Sequence, residues 1–177
     1  MLQCGKGENM EFDRATTCCF TGHRPSALPW KYTEKGVDFV MFRHRLRVAV
    51  EKAIERGYTR FITGMAQGVD LIAAEVVLDF KRENPSIILE CAVPCKNQQA
   101  DWNEENKIRY DEILQVADRV TFITDQDYTE GCMKKRNEYM IENSSLVIAG
   151  FNGKVGGTKQ TISLARIKGL EVITIKP

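Results

Sequence analysis

The sequence predicts an α/β protein: a Rossmann-like three-layer sandwich with a mainly parallel sheet of about six strands. From Thr16 onward, short apolar runs alternate with longer segments of helical period. This alternation is typical of βαβ units built on a parallel sheet. The six apolar runs, which we interpret as the strands, are 17–21, 60–63, 87–93, 119–124, 146–149 and 170–175.

Five helical segments are expected between and after these runs. The clearest has apolar residues at i, i+3, i+4, i+7, i+8 and i+11, namely Val69, Ile72, Ala73, Val76, Val77 and Phe80. An earlier segment stops at Gly57, a residue suited to end a helix, and has on one face Phe39, Phe42, Leu46, Val50 and Ala53. The remaining segments lie around 110–117, over 131–143, and from Thr158 to Gly169.

The first fifteen residues differ from the rest of the chain. Residues 1–15 show no period and contain glycine and charged residues, so we expect a flexible N-terminal arm outside the fold. Residues 16–177 contain no linker or internal repeat, and we expect them to form one domain. A chain of 177 residues is long enough to bury a sizeable core.

Charge and cysteine content restrict the classes of partner and site. Lys and Arg number 25 against 24 Asp and Glu, so no overall field attracts a polyanion. The chain lacks a basic start followed by an apolar signal segment, so we expect a cytoplasmic protein with six reduced cysteines. Cys91 and Cys95 have no second ligand pair, which favours buried thiols over a metal site. No apolar run approaches the roughly 20 residues that span a bilayer, so no membrane role is expected.

Glycine follows three of the predicted strands, at Gly22, Gly64 and Gly150. Ligands of open parallel sheets bind at the carboxyl ends of strands, and glycine lets a main-chain amide approach a ligand closely. Each glycine alone is explained better as a strand terminator. Three together favour a binding site.

The loop after the second strand leads into the clearest helix. Its candidate ligand-binding residues are Gly64, Met65, Ala66, Gln67, Gly68 and Asp70. Amide groups at a helix N-terminus favour an anion, and a phosphate fits there. Asp70 either contacts a ribose hydroxyl or caps its own helix, and both interpretations stay open.

A second anion position is predicted before the last helix. Gly156, Gly157 and Thr158 provide amides and a hydroxyl there, with Lys154 or Lys159 close in sequence. The segment matches neither the P-loop nor the GxGxxG spacing. We therefore expect neither an ordinary NTPase nor a standard dinucleotide dehydrogenase.

The remaining candidates come from other loops and helices. Arg24 either forks onto a phosphate or pairs with a carboxylate, and His23 is an acid/base candidate without an identified partner. Trp102 and Tyr110 either stack on a base or pack together beside a helix start. Further candidate pocket-lining residues are Glu75, Arg136, Asn137 and Thr161.

Taken together, the motifs of the chain resemble those of the SLOG superfamily, which includes the DNA-processing protein DprA and the LOG-type phosphoribohydrolases. The resemblance is greatest to the YpsA-like family of bacterial proteins. It is carried by TGHRP, TGMAQGVD, DWNEENKIRYDEILQVAD, KKRNEYMIENSSLVIAGFNG and GGTKQTISLARIKGLEVITI in this order. The match runs from about Thr17 to the end of the chain.

The resemblance implies a Rossmann-like sheet whose loops at Gly22, Gly64 and Gly157 bind a nucleotide-derived ligand, and it implies a homodimer. In the hydrolase branch, a Glu that carries the chemistry follows the Gly-Gly-x-Gly-Thr motif. Thr161 stands at that position here, which argues against N-glycosidic hydrolysis. In the DprA branch similar loops hold single-stranded DNA, and the near-neutral charge of this chain argues against that partner.

These observations give three functional hypotheses. The first is binding of a phosphate-bearing ligand, such as a nucleotide, NAD or ADP-ribose, by a sensor or regulatory protein. The second is hydrolysis or glycosyl transfer on a nucleoside monophosphate. The third is DprA-like binding of single-stranded DNA.

Overall fold

Six strands and five α-helices alternate along the part of the chain that the structure, a computed structural model, describes, which is residues 12–177. The strands are β1 (Thr17–Gly22), β2 (Arg60–Thr63), β3 (Ile88–Val93), β4 (Arg119–Phe122), β5 (Leu146–Gly150) and β6 (Glu171–Ile175). The helices are α1 (Val37–Glu55), α2 (Val69–Glu83), α3 (Glu104–Val116), α4 (Cys132–Glu142) and α5 (Gly157–Ile167).

All six strands pair in parallel, in the order β4-β3-β2-β1-β5-β6. The chain moves outward from β1 to β4 and then returns to the other side of β1 to form β5. The strand order therefore reverses between β1 and β5, where the register places Gly22 opposite Gly150. Loops that leave the two strands at such a point diverge to opposite faces and open a crevice.

Helices cover both faces of the sheet. Side chains of alternating residues on each strand enter two cores, as the period of two in a strand requires. Phe20 and Phe61 face α1, α2 and α3, and Cys19 and Ile62 face α4 and α5. The predicted three-layer Rossmann-like sandwich is thus confirmed.

The predicted elements agree with the structure except near their ends. The fourth strand ends at Phe122 and not at residue 124, and the third and sixth begin one residue later than expected. Gly57 does end α1: its φ is 93°, and the amide of Tyr58 donates to the Ala53 carbonyl. Two short 3-10 turns, Arg14–Thr16 and Pro25–Ala27, have no counterpart in the hydrophobic pattern because each is too short to show a period.

The predicted arm lies mostly outside the described residues, which begin at Phe12. Within its last residues, Asp13 Oδ1 accepts a hydrogen bond from the Ala15 amide, and Arg14 Nε donates to the Ser144 carbonyl at 2.8 Å. The ring of Phe12 lies 4.2 Å from the Arg60 guanidinium carbon.

A buried ionic network joins α4 to the sheet. Glu90 of β3 is fully buried and accepts hydrogen bonds from Arg60 of β2, from Thr121 Oγ1 at 2.8 Å and from Tyr139 Oη at 2.6 Å. Arg60 is itself only 4% exposed. A buried carboxylate of this kind is tolerated because several donors replace its lost hydration.

Replacing Glu90 by Gln should lower the free energy of unfolding by about 3 kcal/mol, because the Arg60 charge then lacks a buried counterion. Urea denaturation measures the change. The matched control is Glu142→Gln, which removes an exposed partner of Lys168 and should change stability by less than about 0.5 kcal/mol. Equal effects of the two substitutions would contradict this account.

Among the helices of residues 12–177, none has the length and apolar character that crossing a membrane requires.

Candidate functional site

A cavity of about 380 Å³ opens at the carboxyl edge of the sheet, beside the point where the strand order reverses. Its walls come from the loops after β1 and β5, the start of α2, and the first turns of α4 and α5. The predicted residues that line it are Gly22, His23, Arg24, Ala66, Asp70, Arg136, Asn137, Gly156, Gly157, Thr158 and Thr161. The structure therefore brings together candidates from all three glycine-containing loops.

Seven predicted residues do not line this cavity: Gly64, Met65, Gln67, Gly68, Gly150, Glu75 and Trp102. The first five lie in or next to the loops that form the cavity, but they do not contribute to its lining. Met65 is fully buried with a φ of 56°, which is strained for a side chain of this size. Glu75 and Trp102 are on another part of the molecule.

Glu75 and Trp102 are engaged in packing between helices. Glu75 accepts hydrogen bonds from Arg109 Nε at 2.5 Å and Nη2 at 2.8 Å, which joins α2 to α3. Trp102 packs edge to face on Tyr110, with ring centroids 5.4 Å apart. The packing interpretation of the two aromatics therefore fits the structure, and the expectation that Glu75 and Trp102 line the pocket is not met.

The loops after β1 and β5 are hydrogen-bonded to each other. The His23 amide donates to the Gly150 carbonyl at 3.3 Å, and the Asn152 amide donates to His23 Nε2 at 3.2 Å. Asn152 Nδ2 also donates to the Ala27 carbonyl at 3.2 Å. Sequence reasoning missed Asn152, although an Asn-Gly pair is a turn signal. These bonds fix one wall of the cavity.

His23 is held as a neutral imidazole. It is buried, its ring stacks on Phe151 at 5.6 Å between centroids, and burial lowers its pKa. Because Nε2 accepts the Asn152 amide, the ring proton is placed on Nδ1. The partner of His23 is thus a main-chain amide, and the histidine positions the loop of Asn152.

Asp70 and Arg136 form a buried ion pair at the base of the cavity. Asp70 Oδ2 lies 3.6 Å from Arg136 Nη1 and accepts the Ala66 amide at 3.3 Å. Burial raises the pKa of Asp70, and the positive charges of Arg136 and Arg24 oppose that shift. Gly68, and not Asp70, is the N-cap residue of α2, so the capping interpretation of Asp70 is wrong.

Arg136 occupies the space next to the Gly64 main chain. Its Nη1 donates to the Gly64 carbonyl, and its Nε donates to Asn137 Oδ1 at 2.8 Å. A Cβ at Gly64 would overlap the guanidinium group. Glycine at this position therefore lets the buried guanidinium group lie directly against the main chain.

The other two glycines that end strands are required by α2. A Cβ at Gly22 would overlap Val69, the first residue of α2, and a Cβ at Gly150 would lie 2.7 Å from Val69 Cγ2. Gly68 has a φ of 93°, and a Cβ there would overlap the His23 carbonyl. These glycines let α2 approach the sheet and bring its N-terminus to the cavity.

Positive potential in the cavity comes from Arg24 and from α5. Arg24 is exposed at the cavity, and no carboxylate of residues 12–177 lies within ion-pair distance of it. The carboxylate alternative for Arg24 is therefore not met. No side chain of the described residues caps α5, so the amides of its first turn remain available to an anion. Gly157, unlike Gly22, has open space where a Cβ would project.

Thr161 does not supply an acid where the hydrolase motif has one. Its hydroxyl accepts Asn137 Nδ2 at 3.0 Å and donates to the Gly157 carbonyl at 3.0 Å. Asp70 is the one carboxylic acid among the described residues that line the cavity, and it is bound to Arg136.

Ala substitutions should distinguish a glycine packed against α2 from a glycine with open space beside it. Gly22→Ala should lower the free energy of unfolding by about 2 kcal/mol, because the new methyl group overlaps Val69. Gly157→Ala, the matched control in α5, should leave stability unchanged or slightly increased because its Cβ enters open space. Urea denaturation measures both, and a Gly22→Ala protein as stable as the wild type would refute the packing role.

His23 should make stability depend on pH. Since the folded-state pKa is below the unfolded value of about 6.5, the unfolded chain takes up the proton first, and stability falls as the pH drops below about 6.5. His23→Gln keeps an acceptor for the Asn152 amide and removes this loss. Unfolding free energies at about pH 7.5 and about pH 5.5 should differ less in the variant. The same difference in both proteins would contradict the assignment.

Two Bacillus proteins are similar to this chain in sequence. The chain is 31% identical over 145 residues to the SPbeta prophage-derived protein YoqJ of Bacillus subtilis strain 168, covering 75% of this chain and 84% of that protein. It is 32% identical over 152 residues to a UPF0398 protein of Bacillus thuringiensis strain Al Hakam, covering 84% and 82%.

Two solved structures of DNA processing protein A (DprA) have the same fold. The Streptococcus pneumoniae protein aligns with a TM-score of 0.64 at 13% identity, over 90% of this chain and 50% of its own. The Helicobacter pylori protein, whose structure is described as revealing a unique single-stranded DNA binding mode, aligns with a TM-score of 0.59 at 17% identity, over 89% and 64%. The chain thus spans about half to two thirds of these proteins.

The sequence model of the YspA SLOG family matches residues 18–169, which include β1 except for its first residue and every later element up to α5. Because this match covers most of the chain, we conclude that the chain belongs to the YspA SLOG family.

Proposed function

We propose that the protein binds a phosphate-bearing, nucleotide-derived ligand in the cavity at the sheet edge and acts as a sensor or regulatory protein. The observation that carries the proposal is the pairing of Arg24, which has no carboxylate partner among residues 12–177, with the uncapped first turn of α5 in one cavity. Both favour an anion, and crevices at a reversal of strand order are the usual ligand sites of such sheets.

The charge inside the cavity supports one anionic group. Arg136 and Asp70 compensate each other in the buried pair, which leaves Arg24 as the uncompensated charge of the lining. Exposed Lys154 and Lys159 add positive charge on either side of Gly156. A volume of about 380 Å³ is within the range of small-molecule sites.

Binding is favoured over hydrolysis because the described lining of the cavity offers no free carboxylate. Stabilising a ribosyl cation requires a carboxylate free to face it. Thr161 offers a hydroxyl that is already hydrogen-bonded, and Asp70 is bound by Arg136 and the Ala66 amide. Candidate ligands are therefore nucleotides, NAD or ADP-ribose that are bound without turnover.

Single-stranded DNA is a second candidate ligand. It is favoured by the fold shared with DprA, whose Helicobacter pylori form binds single-stranded DNA, and by exposed Lys134 and Lys135 at the start of α4. Arg136, the next residue along α4, is buried and does not add to this exposed charge. A protein that binds a strand in this way would contact several of its phosphates.

Arg24→Gln should weaken binding of a phosphate-bearing nucleotide about 10- to 100-fold, because it removes a charge-assisted hydrogen bond worth about 1.5–3 kcal/mol. Isothermal titration with nucleoside monophosphates, NAD and ADP-ribose measures the affinity. The control is Lys52→Gln, an equal charge change in the last turn of α1, at the opposite edge of the sheet.

Oligonucleotide binding distinguishes the two candidates. If the protein neutralises several phosphates of a strand, its affinity for the strand falls steeply between about 50 and 200 mM salt. Its affinity for a ligand with a single phosphate falls little over the same range. A wild-type protein that binds no phosphate-bearing small molecule, while it binds a single strand with a steep salt dependence, would replace the first proposal with the second.

A further inference from the structure

A second opening lies next to the cavity, between the N-terminal halves of α4 and α5. It has a volume of about 680 Å³ and is lined by both helices. Four of its residues, Met133, Asn137, Gly157 and Thr161, also line the cavity at the sheet edge. We call this opening the α4–α5 groove. Because the two spaces share these walls, they adjoin each other.

The border between the two spaces is fixed by hydrogen bonds. Asn137 accepts Arg136 Nε at 2.8 Å and donates to Thr161 Oγ1 at 3.0 Å. Thr161 in turn donates to the Gly157 carbonyl at 3.0 Å. These hydrogen bonds connect the buried guanidinium of the cavity to the first turn of α5 and link the two helices beside the groove.

The charges of the groove differ from those of the cavity. Lys134 Nζ lies 3.9 Å from Glu138 Oε1, so the two charged residues of the groove compensate each other. The cavity instead contains Arg24, which has no carboxylate partner within residues 12–177. An elongated ligand with one charged and one neutral end is therefore best placed with its charged end in the cavity.

The side chains of the groove suit a flat group with hydrogen-bonding edges. Gln160 is exposed, lines the groove, and makes no side-chain hydrogen bond to any residue from 12 to 177. Its amide offers both a donor and an acceptor, which is the pattern that reads the edge of a base. Met133 and Leu164 provide partly buried apolar surface for the face of such a group.

We propose that the α4–α5 groove is a second compartment of the site and takes the nucleoside part of a ligand whose phosphate lies in the cavity. The proposal rests on the proposed function and adds where the nucleoside part of that ligand is bound. Gln160 is the residue that distinguishes between bases.

The test compares ribose 5-phosphate, which fills only the cavity, with the common ribonucleoside monophosphates. In the wild-type protein the best nucleotide should bind at least about tenfold more tightly than ribose 5-phosphate, as one to two base contacts require. In Gln160→Trp, whose indole fills the groove, nucleotide affinity should fall to within about threefold of that for ribose 5-phosphate. The affinity for ribose 5-phosphate should not change.

Two further variants complete the experiment. Gln160→Ala should reduce nucleotide affinity about three- to tenfold and reduce the differences between bases, without adding bulk. Ile167→Trp is the matched control, because Ile167 is 82% exposed on the same helix and does not line the groove. It should bind both ligands as the wild type does.

The outcomes separate this inference from the function on which it rests. If ribose 5-phosphate and the nucleotides bind the wild type equally, or if Gln160→Trp binds nucleotides as the wild type does, the groove is not a compartment of the site and the phosphate cavity stands alone. If the folded wild type binds none of these compounds, the proposed function fails and the inference fails with it.

Discussion

The close approach of α2 to the centre of the sheet is the constraint on which the site depends. Val69 lies over the ends of β1 and β5, where the register places Gly22 beside Gly150. Any side chain at either glycine would push the helix away. With the helix in place, Asp70 lies at the base of the cavity and meets Arg136 from the opposite layer.

The buried pair of Asp70 and Arg136 then determines how charge is distributed. Arg136 reaches from α4 to the Gly64 carbonyl and to Asp70, so it holds the loop after β2 while its charge is compensated. The positive potential left for an anion comes from Arg24 and the start of α5, on the outer side of the cavity. Arg136 thus has a structural role, and the ligand-binding role that we propose falls to Arg24.

The fold was predictable because most of its helices and strands have a clear hydrophobic period. The stripe of α2 and the apolar run of β5 are set by burial on one face or on both, which hydrophobicity reports directly. Among the strands, the edge strand β4 was predicted least accurately, since its residues are largely exposed and its ends carry little apolar signal.

The site was predictable only in its location. Strand-ending glycines correctly indicated the edge of the sheet, yet the reason for them is contact with Val69 and Arg136, which depends on residues distant in sequence. The same limit explains why Glu75 was misplaced: its partner Arg109 is 34 positions away on α3. Asn152 was missed because its role needs the neighbouring loop of His23.

The reversal of strand order also has a mechanical consequence. The loop after β1 leads into α1 on one face of the sheet, whereas the loop after β5 leads into α5 on the other. A molecule held between them touches both outer layers of the sandwich at once. A bound molecule would therefore link the two helical layers at the edge of the sheet and would oppose their separation.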